Sequence, residues 1–403
     1  MPSPFAVRSF RFQWPADLAT SWAFEMEALI LGWYVLSATG SVQQLAVVAA
    51  LAWFGSLFSP FVGLAGDRVG HRFLMLATRG FYAVLAAVLA VLTLTDALQP
   101  WHVFAIAAIG GLLRPSDMVM RHALVGQTMP HAILLQAVAL SRTTADTARV
   151  VGALAGAGGV ALIGMGPAYL VVTGMYVVAF LLTLGVAKTP PSRHTAHPVS
   201  DMKDAFRYVW RKPDLLGAFT LAFLVNLLAY PFVLGLLPYA AKEVFDAGQA
   251  GLGYLAASFW IGALLGSLVV SAARLPMREA RAMLWAGCLW FAAILVFGQT
   301  RTLALGMTFL FLAGFVQSFC LTPLAAVMLR GAGEAMRGRV MGVRMLAIWG
   351  LPLGLLLAGP MIARFGFATT TMIYAGLGLV ATIAIGWYWR SALWHRSAAA
   401  NLA

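Results

Sequence analysis

Gly63-Leu64-Ala65-Gly66-Asp67-Arg68-Val69-Gly70-His71-Arg72 is a short, glycine-rich, charged stretch between two long apolar segments. Gly63, Asp67, Arg68, Gly70 and Arg72 stand at fixed spacing in it, and Phe73 follows. The surrounding chain is 61% hydrophobic and only 10% charged, with a mean hydropathy of +0.85. Soluble domains carry about 25% charged residues. Roughly 20 consecutive apolar residues suffice to cross a bilayer. The composition therefore reads as a polytopic membrane protein.

Apolar runs place twelve spans, at 14–37, 42–65, 73–95, 101–120, 136–164, 167–187, 214–240, 249–273, 280–299, 302–328, 339–363 and 367–390. Such runs are read as helices, because a spanning segment has to satisfy its backbone hydrogen bonds internally. Arg8 and Arg11 precede an apolar stretch too long for a cleavable signal and suited to a first span. One connection is long. Residues 188–213 are polar and proline-bearing, and they divide the chain into an N-terminal six-helix bundle over 1–187 and a C-terminal one over 214–403. Within that linker Val199, Met202, Phe206, Val209 and Trp210 recur at helical spacing, opposite Asp201, Lys203, Asp204, Arg207 and Arg211. This predicts an amphipathic helix on the membrane surface.

With a cytoplasmic N-terminus, Lys242, Arg301 and Arg364 are the Lys and Arg residues at outer loops; the rest lie at or near the inner side. The basic excess, a net charge of +13, is thus a topology signal rather than a nucleic-acid surface. Both termini are expected in the cytoplasm. Cys288 and Cys320 fall in apolar segments and offer neither a disulfide framework nor metal spacing. No cofactor is expected.

The two halves read as repeats. Gly164-Met165-Gly166-Pro167 between spans 5 and 6 echoes Arg364-Phe365-Gly366-Phe367 between spans 11 and 12, and Gly111-Leu112-Leu113-Arg114 echoes Gly314-Phe315-Val316-Gln317. With the opening stretch lying between spans 2 and 3 on the inner side, the chain resembles the major facilitator superfamily of secondary transporters. Leu31-Gly32-Trp33-Tyr34-Val35, Ala148-Arg149-Val150-Val151-Gly152 and Arg337-Gly338-Arg339-Val340-Met341 are similar to its bacterial branch of siderophore and macrolide exporters. Ala153 stands where that branch has proline, and the second half lacks a good copy of the signature loop. The resemblance implies an all-α fold of two pseudo-symmetric six-helix bundles, a central cavity lined by spans 1, 4, 7 and 10, and a monomer. Substrate sites in such repeat-built transporters lie near the midplane.

Ionisable groups within spans cost roughly 2.5–3.5 kcal/mol each and call for a reason. Glu25 and Glu27 lie near the middle of span 1, about 200° apart around a helix. Glu25 shares a small, polar stripe with Asp17, Ser21, Ala28 and Gly32, so it is favoured as the proton- or cation-binding carboxylate, with Glu27 second. In span 4, Arg114, Asp117 and Arg121 share one side, and Asp117 can pair with either Arg. Near the inner end, Asp67, Arg68 or Arg72, and Asp117 are expected to form a gate network. In span 5, Arg142, Asp146 and Arg149 repeat the pattern, with Arg149 placed to meet an anionic substrate or a carboxylate of span 1. Asn226, Gln317 and Ser318 are uncharged candidates for orienting substrate. Gly152, Gly156, Gly158 and Gly159 form a small-residue packing face.

These features predict a transporter, not an enzyme: proton-coupled efflux of a small, mostly hydrophobic molecule by alternating access, with substrate, protons and membrane lipids as partners. Uptake by the same fold is the alternative, and a lipid-modifying membrane enzyme is a remote one that lacks any acid-rich metal motif.

Overall fold

The computed structural model describes residues 4–58, 65–66, 68–188, 198–272, 277–333 and 336–394. The described residues are almost wholly helical and contain no strand. Among the described residues eight helices are long and apolar enough to cross a bilayer. The shorter apolar helices Val42–Phe54, Pro100–Arg114 and Pro213–Leu228, together with Arg8–Thr39, occupy the other expected spans. This is the predicted all-α, twelve-span architecture. Chain contacts group Met1–Ala196 with Pro238–Ala257 as one unit, and His197–Leu237 with Ser258–Ala403 as the other.

The first unit holds α1 (Arg8–Thr39), α2 (Val42–Phe54), α3 (His71–Leu94), α4 (Pro100–Thr128), α5 (His131–Ala153) and α6 (Met165–Leu184). Helix α1 runs 32 residues, about 48 Å at 1.5 Å per residue, which exceeds the roughly 30 Å hydrocarbon core. It ends where Gly40 turns left-handed, and Ser41 then caps α2 by accepting the Gln44 amide. Gly70, the last glycine of the signature stretch, caps α3 at φ 94°, a region that disfavours side chains with a Cβ. Between α5 and Gly159–Ile163 the chain widens into a π turn over Leu154–Gly158. Replacing proline by Ala153 therefore does not leave a regular α-helix; the glycine-rich run supplies the irregularity.

Close helix packing follows the glycines. A Cβ at Gly156 would meet Met26 Cα of α1 at 2.7 Å, and one at Gly152 would meet Glu25 Cβ at 2.6 Å. Gly158 and Gly159 face open space, so half of the expected packing face packs.

The second unit contains the amphipathic helix α7 (Pro198–Arg211), α8 (Pro213–Leu228), most of α9 (Gln249–Ala272), α10 (Glu279–Gln299), α11 (Leu303–Gly331), α12 (Arg337–Leu346), α13 (Gly350–Phe365) and α14 (Phe367–Tyr388). The expected apolar stripe of α7 divides. Val209 is buried with Ala205, while Phe206 and Trp210 lie side by side with tilted rings and stay exposed. The end of α7 is tied to the end of α11, where Lys212 donates to the Gly331 carbonyl at 2.9 Å and its ammonium lies over the Tyr208 ring. A hydrogen bond from Lys212, followed by one from the Gly333 amide, holds the Tyr208 hydroxyl below the usual tyrosine range. The repeat is visible in backbone angles: Gly164 before α6 has φ 83°, ψ 168°, and Gly366 before α14 has φ 80°, ψ 166°.

Candidate functional site

The deepest charges of the first unit lie where α1, α3, α4 and α6 meet. Arg79 of α3 is fully buried. Its Nε lies 3.2 Å from Asp117 Oδ1, its Nη1 donates to Thr183 Oγ1 at 2.6 Å, and its Nη2 is bound to Asp17 Oδ1. Arg121, one turn after Asp117 on α4, holds Asp117 Oδ2 at 2.6 Å and donates to Ser21 Oγ at 2.7 Å. Its Nε lies 3.6 Å from Asp17. Two carboxylates and two guanidiniums thus neutralise one another away from water. Burial of so many charges is tolerated because each finds an opposite charge and hydrogen-bond partners.

This arrangement differs from the expected gate. Gly63 and Asp67 lie outside the described residues, and Arg68 is exposed. Arg72 does not reach Asp117. It donates to the Leu184 carbonyl at 2.6 Å and to the Thr183 carbonyl at 3.4 Å, filling acceptors that the end of α6 leaves open. Thr183 links the two groups, because its carbonyl takes Arg72 and its hydroxyl takes Arg79. Spacing had allowed Asp117 to pair with Arg114 or Arg121, and the structure selects Arg121. Arg114 instead lies over the rings of Phe24 and Trp53, at 5.0 and 4.8 Å. Arg79 and Asp17 were not foreseen as partners in this network. The available signal was the cost of a lone arginine in the apolar run of span 3, which demands an acid on another helix.

Further along α1 the two carboxylates part company. Glu25 Oε1 lies 3.8 Å from Arg149 Nε, and Arg149 Nη1 lies 3.1 Å from Asp146 Oδ1. Glycine at 152 lets α5 approach α1 closely enough for this contact. The side chains stay partly accessible, 33% for Arg149 and 21% for Glu25, unlike the sealed network around Arg79. The side chain of Arg142 lies outside the described positions. Glu27, on the other side of α1, accepts the Tyr176 hydroxyl at 2.9 Å.

In the second unit, Gln317 of α11 is buried and accepts the Tyr230 hydroxyl at 2.9 Å. Tyr230 sits edge-on to Trp290 at 5.0 Å, at the break between α8 and the short turn Pro231–Leu234. Pro231 has no amide to offer Leu227, so the helix is interrupted here. Asn226 turns its amide back to the Ala222 carbonyl of its own helix, and Ser318 donates to the Ala263 carbonyl. Tyr230 is thus the partner of Gln317. Among the described residues no group of three His, Cys, Asp or Glu side chains is placed to hold a metal ion.

A polytopic helical protein with buried compensated charges and a half-open carboxylate–guanidinium cluster is built as a membrane transporter. The model of the Major Facilitator Superfamily matches residues 17–352, and the chain belongs to that family. The multidrug efflux pump Tap of Mycobacterium tuberculosis (strain ATCC 25618 / H37Rv) is 26% identical over 369 residues, covering 85% of this chain and 84% of the pump. The enterobactin exporter EntS of Escherichia coli O1:K1 / APEC is 27% identical over 213 residues, 52% of this chain. The chain spans about half the length of that exporter, 50%. Among solved structures, a bacterial homologue of the human lysosomal transporter Spinster, inward-facing and unoccupied, superposes with a TM-score of 0.75 at 13% identity, covering 96% of this chain and 98% of the other. A POT family transporter in complex with a thioalcohol-conjugated peptide gives 0.77 at 12% identity, covering 96% of each. These structures share the fold. The family and the relatives identify a multi-pass membrane transporter rather than an enzyme.

Proposed function

We propose that the protein is a proton-coupled exporter of a small, mostly hydrophobic molecule. In this reading it works by alternating access between two six-helix halves, over 1–187 and 214–403, joined by the linker 188–213. It acts as a monomer in a bacterial inner membrane with both termini cytoplasmic. Support for export comes from the relatives, a multidrug efflux pump and an enterobactin exporter.

The observation that carries the coupling is the Glu25–Arg149–Asp146 cluster. Two carboxylates share one guanidinium within membrane-spanning helices, and all three remain partly accessible. An ionised Glu25 holds Arg149; a protonated Glu25 releases it. The accessible cluster therefore has two arrangements separated by one proton, the kind of bistable element that an exchange cycle requires. Proton–substrate exchange further requires that the two ligands exclude one another, which a positively charged or strongly hydrogen-bonding substrate does at Glu25. In the first unit Arg114, and in the second unit Gln317 with Tyr230, are each assigned to the substrate pathway. The Asp17–Arg79–Asp117–Arg121 network is assigned to the inner gate, with the signature loop beside it.

The test is dye efflux from inverted vesicles or proteoliposomes using ethidium and a panel of hydrophobic fluorescent dyes. Glu25→Gln is expected to abolish gradient-driven movement while leaving insertion and folding intact. Unchanged gradient-driven efflux in that variant contradicts the assignment.

A further inference from the structure

Helix α7 presents different edges to different surroundings. At about 100° per residue, Ala205 and Val209 fall on one line, Phe206 and Trp210 beside them, and Lys203, Arg207 and Arg211 beyond. Tyr208 and Lys212 complete the circle. Ala205 and Val209 are buried, and Met202 lies over α12, where a Cβ at Gly342 would meet its Cε at 3.9 Å. Tyr208 and Lys212 bind the end of α11 through Gly333 and Gly331. The aromatic edge has no such cover. Phe206 and Trp210 lie 5.6 Å apart, Phe206 meets Phe219 of α8 edge-on at 6.1 Å, and Trp210 stays 62% exposed. Lys203, Arg207 and Arg211 are exposed as well. Arg207 meets Asp204 at 3.4 Å, while Lys203 and Arg211 make no ion pair among the described residues.

The depth of this edge is set by α8. Phe219 lies within the first two turns of that apolar helix, so Phe206 and Trp210 sit level with the end of a span. Helix α14 ends at the same level. A Cβ at Gly217 of α8 would meet the Trp389 ring at 3.2 Å. Trp387 and Tyr388 beside it are exposed, and Arg390 follows. Tryptophan and tyrosine gather at the headgroup level of a bilayer. Basic side chains just beyond such aromatics match a surface of negative phosphates. The exposed Arg207–Asp204 pair contributes little and leaves Arg207 able to change partners. A protein partner on the same edge would have to wedge itself between α7 and the bilayer that surrounds α8.

We propose that the aromatic–basic edge of α7 binds the headgroups of anionic phospholipids in the adjoining leaflet. Phe206 and Trp210 sit at the boundary between headgroups and acyl chains, and Lys203, Arg207 and Arg211 meet the phosphates. Helix α7 is thereby clamped on two sides, by lipid along this edge and by the ties of Tyr208 and Lys212 to the end of α11 along the other. Because α7 also packs on α12, anionic lipid steadies the connection between α11 and α12. The site requires only that the chain crosses a bilayer. It is independent of the direction and coupling of transport.

The experiment is amide hydrogen exchange across 198–211, read on the full-length protein in single-copy nanodiscs of phosphatidylcholine, with or without phosphatidylglycerol. Each Lys or Arg near an anionic surface contributes about fivefold, so exchange should slow by about tenfold or more when phosphatidylglycerol is present. High salt should reverse much of that slowing. Arg207→Gln/Arg211→Gln is expected to remove most of it, and Trp210→Ser to weaken it. In neutral discs both variants should exchange as the parent does, because the tie of Lys212 to Gly331 is intact. A helix that is merely structural, or that docks another protein, shows equal protection in the two lipids. Equal protection, or a phosphatidylglycerol effect that survives in the double arginine variant, overturns the site. So does equal slowing by inorganic phosphate in neutral discs, which marks an ion site. Protection found only in discs that hold two copies marks a self-interface and overturns it as well.

Discussion

Arg79→Met removes the guanidinium that joins Asp17, Asp117 and Thr183. The parent network holds two negative and two positive charges, all buried or nearly so. After the substitution, Asp17 and Asp117 remain with Arg121 alone, one charge uncompensated. Removing one partner of a buried ion pair costs about 3–5 kcal/mol. The Thr183 hydroxyl keeps its bond to the Ala179 carbonyl and loses the one from Arg79, about 1 kcal/mol, within the same range. We expect a loss of about 4 kcal/mol in equilibrium unfolding from mixed micelles. The double variant Arg79→Met/Asp17→Asn restores charge balance, with Asp117 and Arg121 still paired, and should recover about 1–3 kcal/mol of that loss. An exposed pair contributes only about 0–1 kcal/mol. A single-variant loss below about 1 kcal/mol, or a double variant less stable than the sum of its parts, refutes the buried-network reasoning.

Arg114→Gln removes a cation that makes no close ion pair and no hydrogen bond among the described residues and attracts Glu27 only at longer range, so stability in thermal unfolding should change by no more than about 1 kcal/mol, while transport of charged dyes changes; a fall of more than about 2 kcal/mol means that the two cation–π contacts and the attraction to Glu27 hold the fold together. Gly156→Ala drives a Cβ against Met26 Cα and should cost about 1–3 kcal/mol, whereas Gly158→Ala, which meets open space, should cost nearly nothing in the same assay. Lys212→Gln releases the end of α7 from the Gly331 carbonyl, so amide exchange across 198–211 should accelerate; equal protection before and after means the tie is idle. The same change removes the ammonium that lowers the Tyr208 hydroxyl, so the alkaline titration of that tyrosine, followed by ultraviolet absorbance, should move to higher pH.

The helical frame was legible because apolar runs of bilayer length admit one backbone solution. The signature loop was readable for a similar reason, since Gly70 takes a left-handed angle that few residues besides glycine adopt. Partnerships between helices were less so. Periodicity places Asp117 on one side of α4 but does not say which acid or base another helix brings to it. Arg79 supplies the answer from 38 residues away in the chain. Arg149 was expected to meet either an anionic substrate or a carboxylate of span 1, and packing places it beside Glu25. The Tyr176 contact with Glu27 stayed hidden because Tyr176 reads as an ordinary apolar-run aromatic. Only packing brings its hydroxyl to Glu27.

Proton-coupled export is tested most directly by imposing a proton gradient on proteoliposomes that hold the purified protein in one orientation. The dye panel, ethidium included, is supplied on the cytoplasmic face. The account predicts dye accumulation against its own gradient, stopped by a protonophore and absent in Glu25→Gln. Dye movement equal with and without the gradient, or no movement of any dye in the panel, contradicts it.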